Sequence, residues 1–222
     1  MIKAIKSFWA FTSFGYRLVT LLVVPVLIIL INILGLLLGE ALFGVIFLMT
    51  SYALFLMIFD IMADKWFLNG VYGKHNSSLE FLQTSNDFES LIYRVVIVDM
   101  VRRLLLYVGM YIVLIILGKC MIGEMDYYGI YAYLPLYMFI INQVAVGIER
   151  HFSTWQSVWA TSCMASAVSS FGLSFMTTGS IFLCERNGEL LLQVLLLLIA
   201  IAVCVGTVWY SRKKVRESYY DK

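Results

Sequence analysis

The stretch that decides the fold is Val19–Leu38, VTLLVVPVLIILINILGLLL. It contains no charged residue. A helix needs about 20 mostly apolar residues to cross the hydrocarbon core of a bilayer, and this run has that length. Working outward, five further segments qualify. Ala41–Met62 is charged only at Asp60, near its end. Tyr127–Ile148, Trp155–Met176 and Leu190–Tyr210 follow later, the middle one rich in Ser, Ala and Gly. The third span, residues 95–118, is the ragged one. Leu104–Leu117 is uncharged, but a full crossing must borrow Val95–Val101 and pass Asp99, Arg102 and Arg103.

Composition agrees with this reading. The chain has 222 residues, 62% hydrophobic and 14% charged, against roughly 45–50% and about 25% for soluble domains. Its mean hydropathy is +0.89. The expected fold is therefore an all-α integral membrane protein: one domain over residues 1–222 with six transmembrane helices. Both Pro25 and Pro135 fall inside spans, where neighbouring helices can satisfy freed backbone groups. Before the first span, Ile2, Ile5, Phe8, Trp9, Phe11 and Phe14 alternate with Lys3, Lys6, Ser7 and Thr12. That pattern predicts an amphipathic interfacial helix over residues 1–18. No small-residue cleavage site follows the first apolar run, so it is expected to be a retained anchor.

Orientation follows from the basic residues, which concentrate in cytoplasmic loops. With the N-terminus inside and six spans, all of the 16 Lys and Arg except Lys119 and Arg186 lie on the inner side. Both termini are then cytoplasmic. The basic tail Arg212, Lys213, Lys214 and Arg216 marks the inner face at the other end. The largest piece outside the membrane is the inner segment between spans two and three, residues 63–94.

Catalytic signatures are lacking. There is no G-x-x-x-x-G-K-[ST], no G-x-G-x-x-G and no H-E-x-x-H, so neither a P-loop nor a zinc protease helix is encoded. With only His75 and His151, a multi-histidine metal site within one chain is excluded. No C-x-x-C occurs, and neither a metal nor another cofactor is expected. The net charge of +2 gives no reason to expect a nucleic-acid partner. Ionisable groups stay out of the middle of the spans, where an ion-coupled carrier would keep them. Asn32, Asn142, Gln143 and Ser166 remain as candidates to line a polar path; equally, they suit hydrogen bonding between helices. Asp99 stands three and four residues before Arg102 and Arg103, so it can pair along one helix face. Two roles fit that trio: a solvated or interfacial ion pair at the inner membrane edge, or a clasp at a subunit contact.

The inner segment has a marked local pattern. Ser78-Leu79-Glu80-Phe81-Leu82-Gln83 reads as a short helix, broken by the cap-like Thr84-Ser85-Asn86-Asp87. A new helix starts at Phe88, with Glu89 in its first turn at the positive end of the dipole. Together with the interfacial helix and the six spans, this stretch resembles the type-2 ABC (ATP-binding cassette) exporter permeases. The closing Tyr210-Ser211-Arg212-Lys213-Lys214 and Ser218–Lys222 are similar to the tails of small bacterial members. That family often has Pro in the turn, where this chain has Asn86-Asp87. The resemblance implies a multi-pass subunit of a bacterial plasma membrane with no ATPase activity of its own. Leu79 to Phe88 would be the coupling helix, seated on a separate ATP-binding-cassette subunit. A second permease copy, or a related one, would complete the transporter. The substrate would be hydrophobic or amphipathic: a peptide, lipid or drug. Cys120 and Cys184 would both lie near the outer face, as free thiols or a pair. Two other classes share the size: the substrate-binding membrane subunit of an energy-coupling vitamin-uptake system, and a non-transport membrane scaffold.

Overall fold

The computed structural model describes residues 2–12, 14–38, 56, 58–61, 88–122, 134–152, 164, 167–168 and 186–220. Among these, every regular element is helical. α1 is Ile2–Phe11, α2 Phe14–Leu18 and α3 Val24–Leu38, with a π-helical stretch Val19–Val23 between the last two. α4 is Phe88–Ile122, α5 Leu134–Phe152 and α6 Arg186–Tyr220. Among the described residues, three stretches are long and apolar enough to cross a membrane: Phe14–Ile31, Ser90–Cys120 and Gln193–Lys213. A fourth, Pro135–Ile148, is apolar but shorter. The expected spans Ala41–Met62 and Trp155–Met176 lie almost wholly outside the described residues, as does the stretch Leu79–Asp87.

α4 is the central helix and packs against α1, α3, α5 and α6; α5 and α6 also pack on each other. Its buried residues are Ile92, Val95, Val96, Asp99, Met100, Arg103, Tyr107, Met110, Tyr111 and Leu114. Those positions recur every three or four residues, which is one stripe of an α-helix. Leu105, Ile112 and Ile116 face outward instead. α3 and α6 expose long aliphatic rows, including Leu30, Leu34 and Leu37, and Leu197, Leu198 and Val205. Large apolar surface of this extent has no place in water and fits a membrane-embedded protein.

The N-terminal helices show a second stripe. Phe8, Thr12, Tyr16, Thr20, Val24 and Ile28 are all buried and stand four residues apart. A regular α-helix turns about 40° too far for every four residues, so such a row would wander off the face. Two departures hold it in place. The helix breaks between Phe11 and Phe14, and Val19–Val23 winds wider, with the Val24 N–H bonded to the Val19 carbonyl five residues back. Pro25 explains the second departure, because it has no N–H for Leu21 and its ring would strike that carbonyl. The Thr12 and Thr20 hydroxyls donate to the Phe8 and Tyr16 carbonyls, each at 2.8 Å. The expected single interfacial helix is thus two short helices, and α1 is laid against α4 rather than standing alone. Pro135 lies in α5, and residues 127–133 of the expected span lie outside the described residues.

A buried charge network as the candidate functional site

Two carboxylates and two guanidiniums meet inside this bundle. Asp99, Arg102 and Arg103 come from α4, and Asp60 from the short helical piece 58–61. Arg103 is the hub. Its Nε donates to Asp99 Oδ2 at 3.0 Å, and its Nη1 donates to Asp60 Oδ2 at 2.8 Å and Asn142 Oδ1 at 2.9 Å. Arg102 does the same for the other carboxylate oxygens. Its Nε donates to Asp99 Oδ1 at 3.2 Å, and its Nη2 to Asp60 Oδ1 at 2.9 Å. The Arg102 Nη2 also donates to the Tyr16 hydroxyl at 3.1 Å, and the guanidinium lies 5.6 Å from the Tyr16 ring centre. All four carboxylate oxygens therefore accept from a guanidinium.

The network is dry. The Arg103 and Asp99 side chains have no exposed surface, Asp60 keeps 2% and Arg102 8%. Asn142 and Tyr107 are fully buried beside it. Two formal negatives balance two formal positives, which is what lets charges of this kind sit in an apolar interior. The guanidinium fork suits the task, since it presents several fixed donors in one plane. Arg102 Nη1 and Asn142 Nδ2 have no hydrogen-bond partner among the described residues. Each of the four carboxylate oxygens already accepts from a guanidinium, and two positive charges beside them disfavour a metal ion. Among the described residues no three His, Cys, Asp or Glu cluster elsewhere in a way that would hold one.

Geometry decides which elements the network ties. It joins the start of the first apolar run at Tyr16, the end of the second at Asp60, the first half of α4, and the middle of α5 at Asn142. Asp99 pairs with Arg102 and Arg103 along one helix face, as the spacing predicts, but the side chains are packed inside the bundle rather than solvated. α4 carries three ionisable groups on or beside its buried stripe, in its first half. A hydropathy window prices each charge against lipid, whereas the chain supplies Asp60 as a counter-ion from another helix. Asp60 and Tyr16 were missed as partners. The signal was present in the four-residue spacing that includes Tyr16, and in a lone Asp at the end of an otherwise uncharged run.

The other candidates separate. Asn142 joins the network, while its neighbour Gln143 is buried on another side of α5, beside Val203, Gly206 and Thr207 of α6. Asn32 falls on α3. Ser166 and the coupling stretch Leu79, Glu80, Phe81, Leu82, Gln83, Thr84, Ser85, Asn86 and Asp87 lie outside the described residues; Phe88 is the first residue of α4. Cys120 carries an exposed free thiol, and Cys184 lies outside the described residues. No family model, no curated protein and no solved structure matches the chain.

Proposed function

We propose that this chain is the membrane-spanning permease subunit of an ATP-binding-cassette transporter, exporting a hydrophobic or amphipathic substrate with ATP hydrolysis on a separate subunit. In this reading both termini and the segment 63–94 are cytoplasmic, and Leu79 to Phe88 docks on the ATPase. The observation that supports it most directly is the bracketing of that segment. Asp60 stands just before it and Asp99 just after it, and the same two guanidiniums hold both carboxylates. A loop that is to convert closure of a soluble motor into helix movement must have stiff roots. A loop fixed only by exposed ion pairs, each worth about 0–1 kcal/mol, would yield before the helices did. Buried charge pairs resist separation far more strongly, because parting them strands a charge away from water. The same clasp reaches Tyr16 and Asn142, so displacement at the loop is passed to the first, third and fourth apolar helices together.

The test is co-purification. The tagged chain is extracted from its native host in mild detergent, and its companions are identified. An ATP-binding-cassette protein in stoichiometric amount is expected, and it should be lost when Phe81→Glu and Leu82→Glu are introduced. A chain that comes out without any ATPase refutes the assignment, and retention of the ATPase by the double variant refutes the role of the coupling stretch.

A further inference from the structure

Residues 1–39 contain no Asp or Glu, and their three cations, Lys3, Lys6 and Arg17, all fall in the first seventeen positions. α1 is laid against α4 with Phe8 buried, and Thr12 just beyond it is buried as well. That contact fixes which way the rest of the helix faces. At about 100° per residue, Ile5 and Trp9 lie about 60° and 100° round from Phe8, and Lys6 and Lys3 about 160° and 220°. All four are exposed. Going round α1, the bundle contact passes into an apolar flank and then into a cationic one. We propose that this edge of the protein binds anionic phospholipid, with the apolar flank against the acyl chains and Lys3, Lys6 and Arg17 on the headgroup phosphates.

Three observations identify the partner. The first is position. The membrane-crossing stretch Phe14–Ile31 begins just past the end of α1 at Phe11, so the cations stand at the edge of a bilayer whichever side that is. The second is the apolar row beside them. Phe14, Leu18 and Leu22 are all exposed and stand four residues apart, and they carry that row from the end of α1 into the crossing stretch. The third is charge. Arg17 of α2 stacks its guanidinium on the Trp9 ring at 4.6 Å, which brings the third cation to the edge that holds Lys6. Stacking uses the face of a guanidinium, whereas a phosphate is bound through its N–H edge. Three cations with no acid in 39 residues favour an anionic headgroup over a zwitterionic one.

The packing adds something that an isolated amphipathic helix lacks. A free helix can roll to suit any surface. α1 cannot, because Phe8 and Thr12 hold it, so its cations are presented in a fixed order and binding loses less freedom. The inference rests on the membrane-embedded reading of the chain and is independent of any ATPase partner.

The experiment is photo-crosslinking of the purified full chain in phosphatidylcholine nanodiscs. A phosphatidylglycerol probe with a diazirine near the head of one acyl chain is compared with its phosphatidylcholine twin, and labelled peptides are mapped by mass spectrometry. Each cation near the surface changes lipid affinity about fivefold. The phosphatidylglycerol probe is therefore expected to label residues 1–18 at least about fivefold more than its twin. Lys6→Gln with Arg17→Gln should bring the two probes within about twofold of each other. Lys3→Gln with Lys6→Gln serves if the Arg17 variant fails to fold. Arg212→Gln with Lys213→Gln, the same change of charge at the other end of the chain, should leave the excess in place. Inorganic phosphate should not displace the probe, since it cannot use the apolar flank. Equal labelling by the two probes, an excess that survives in the double variants of the N-terminal cations, or displacement by inorganic phosphate would each overturn the proposal. A chain that never enters the nanodisc removes the membrane reading together with this proposal, whereas one that enters and is labelled equally removes this proposal alone.

Discussion

Replacing Asp60 by Asn isolates the energetics of the buried network. The substitution keeps the size and one acceptor of the side chain but removes its charge. Arg102 and Arg103 each lose a charged partner, at 2.9 and 2.8 Å, and only Asp99 remains to balance them. If these were surface pairs the change would cost about 0–1 kcal/mol. The side chains are 0–8% exposed, so the relevant figure is the one for stripping a partner from a buried pair, about 3–5 kcal/mol. For a chain of this length each kcal/mol moves the melting temperature by about 2–4 °C, which puts the expected loss at roughly 6–20 °C. The assay is thermal unfolding in detergent micelles followed by near-ultraviolet circular dichroism, with Lys119→Gln as an exposed-charge control. The second arm is charge-balanced. Arg102→Gln added to Asp60→Asn leaves Asp99 with Arg103 alone, and the double variant should be more stable than the two single losses predict by about 1–3 kcal/mol. A melting temperature for Asp60→Asn within about 4 °C of the parent, or strict additivity in the double variant, would refute the reasoning.

Arg103→Lys keeps the charge but replaces a three-acceptor fork by a single ammonium, so Asp60, Asp99 and Asn142 cannot all be reached; a loss of about 2–4 kcal/mol is expected in the same melting assay, larger than for Arg102→Lys. Tyr16→Phe removes only the hydroxyl that accepts from Arg102 and should cost about 0.5–1.5 kcal/mol, whereas Tyr16→Ala also empties a fully buried site and should cost about 3–5 kcal/mol. Trp9→Ala breaks the 4.6 Å stacking of the Arg17 guanidinium on an exposed ring, and the melting temperature should fall by no more than about 4 °C.

The all-helical class with long apolar helices was legible because it depends on composition and run length, and Val19–Leu38 satisfies both without any tertiary information. The course of α4 was legible: a helix from Phe88 running on through Asp99, Arg102 and Arg103 is what the sequence predicts and what the structure shows. Its charged partners were not, because nothing along the chain says that Asp60 and Asn142 arrive from elsewhere. Burial of Asp99 and Arg103 was nonetheless implicit in the spacing: they stand on the same three-and-four stripe as Val96, Tyr107 and Leu114. The wide turn at Val19–Val23 could be suspected from Pro25, but its effect, holding Tyr16 and Thr20 in line with Val24 and Ile28, requires the three-dimensional path. Gln143 and Asn142 are adjacent and chemically alike, and no pattern along the chain says that one meets α6 and the other an arginine.

The placement of Arg102 and Arg103 also governs how the protein can be made. Hydrophobic segments leave the translocon in order, and an Arg or Asp within a segment opposes its entry into lipid, by up to about 2.5–3.5 kcal/mol at the centre. α4 carries three such residues in its first half, and the counter-charge for its arginines is on the preceding apolar run, at Asp60. If α4 is inserted into lipid, its charges are therefore balanced only once Asp60 is beside it. Asp60 and Arg103 are 43 residues apart, so at about 5–20 residues per second the earlier run must be kept within reach for about 2–9 s before its partner is complete.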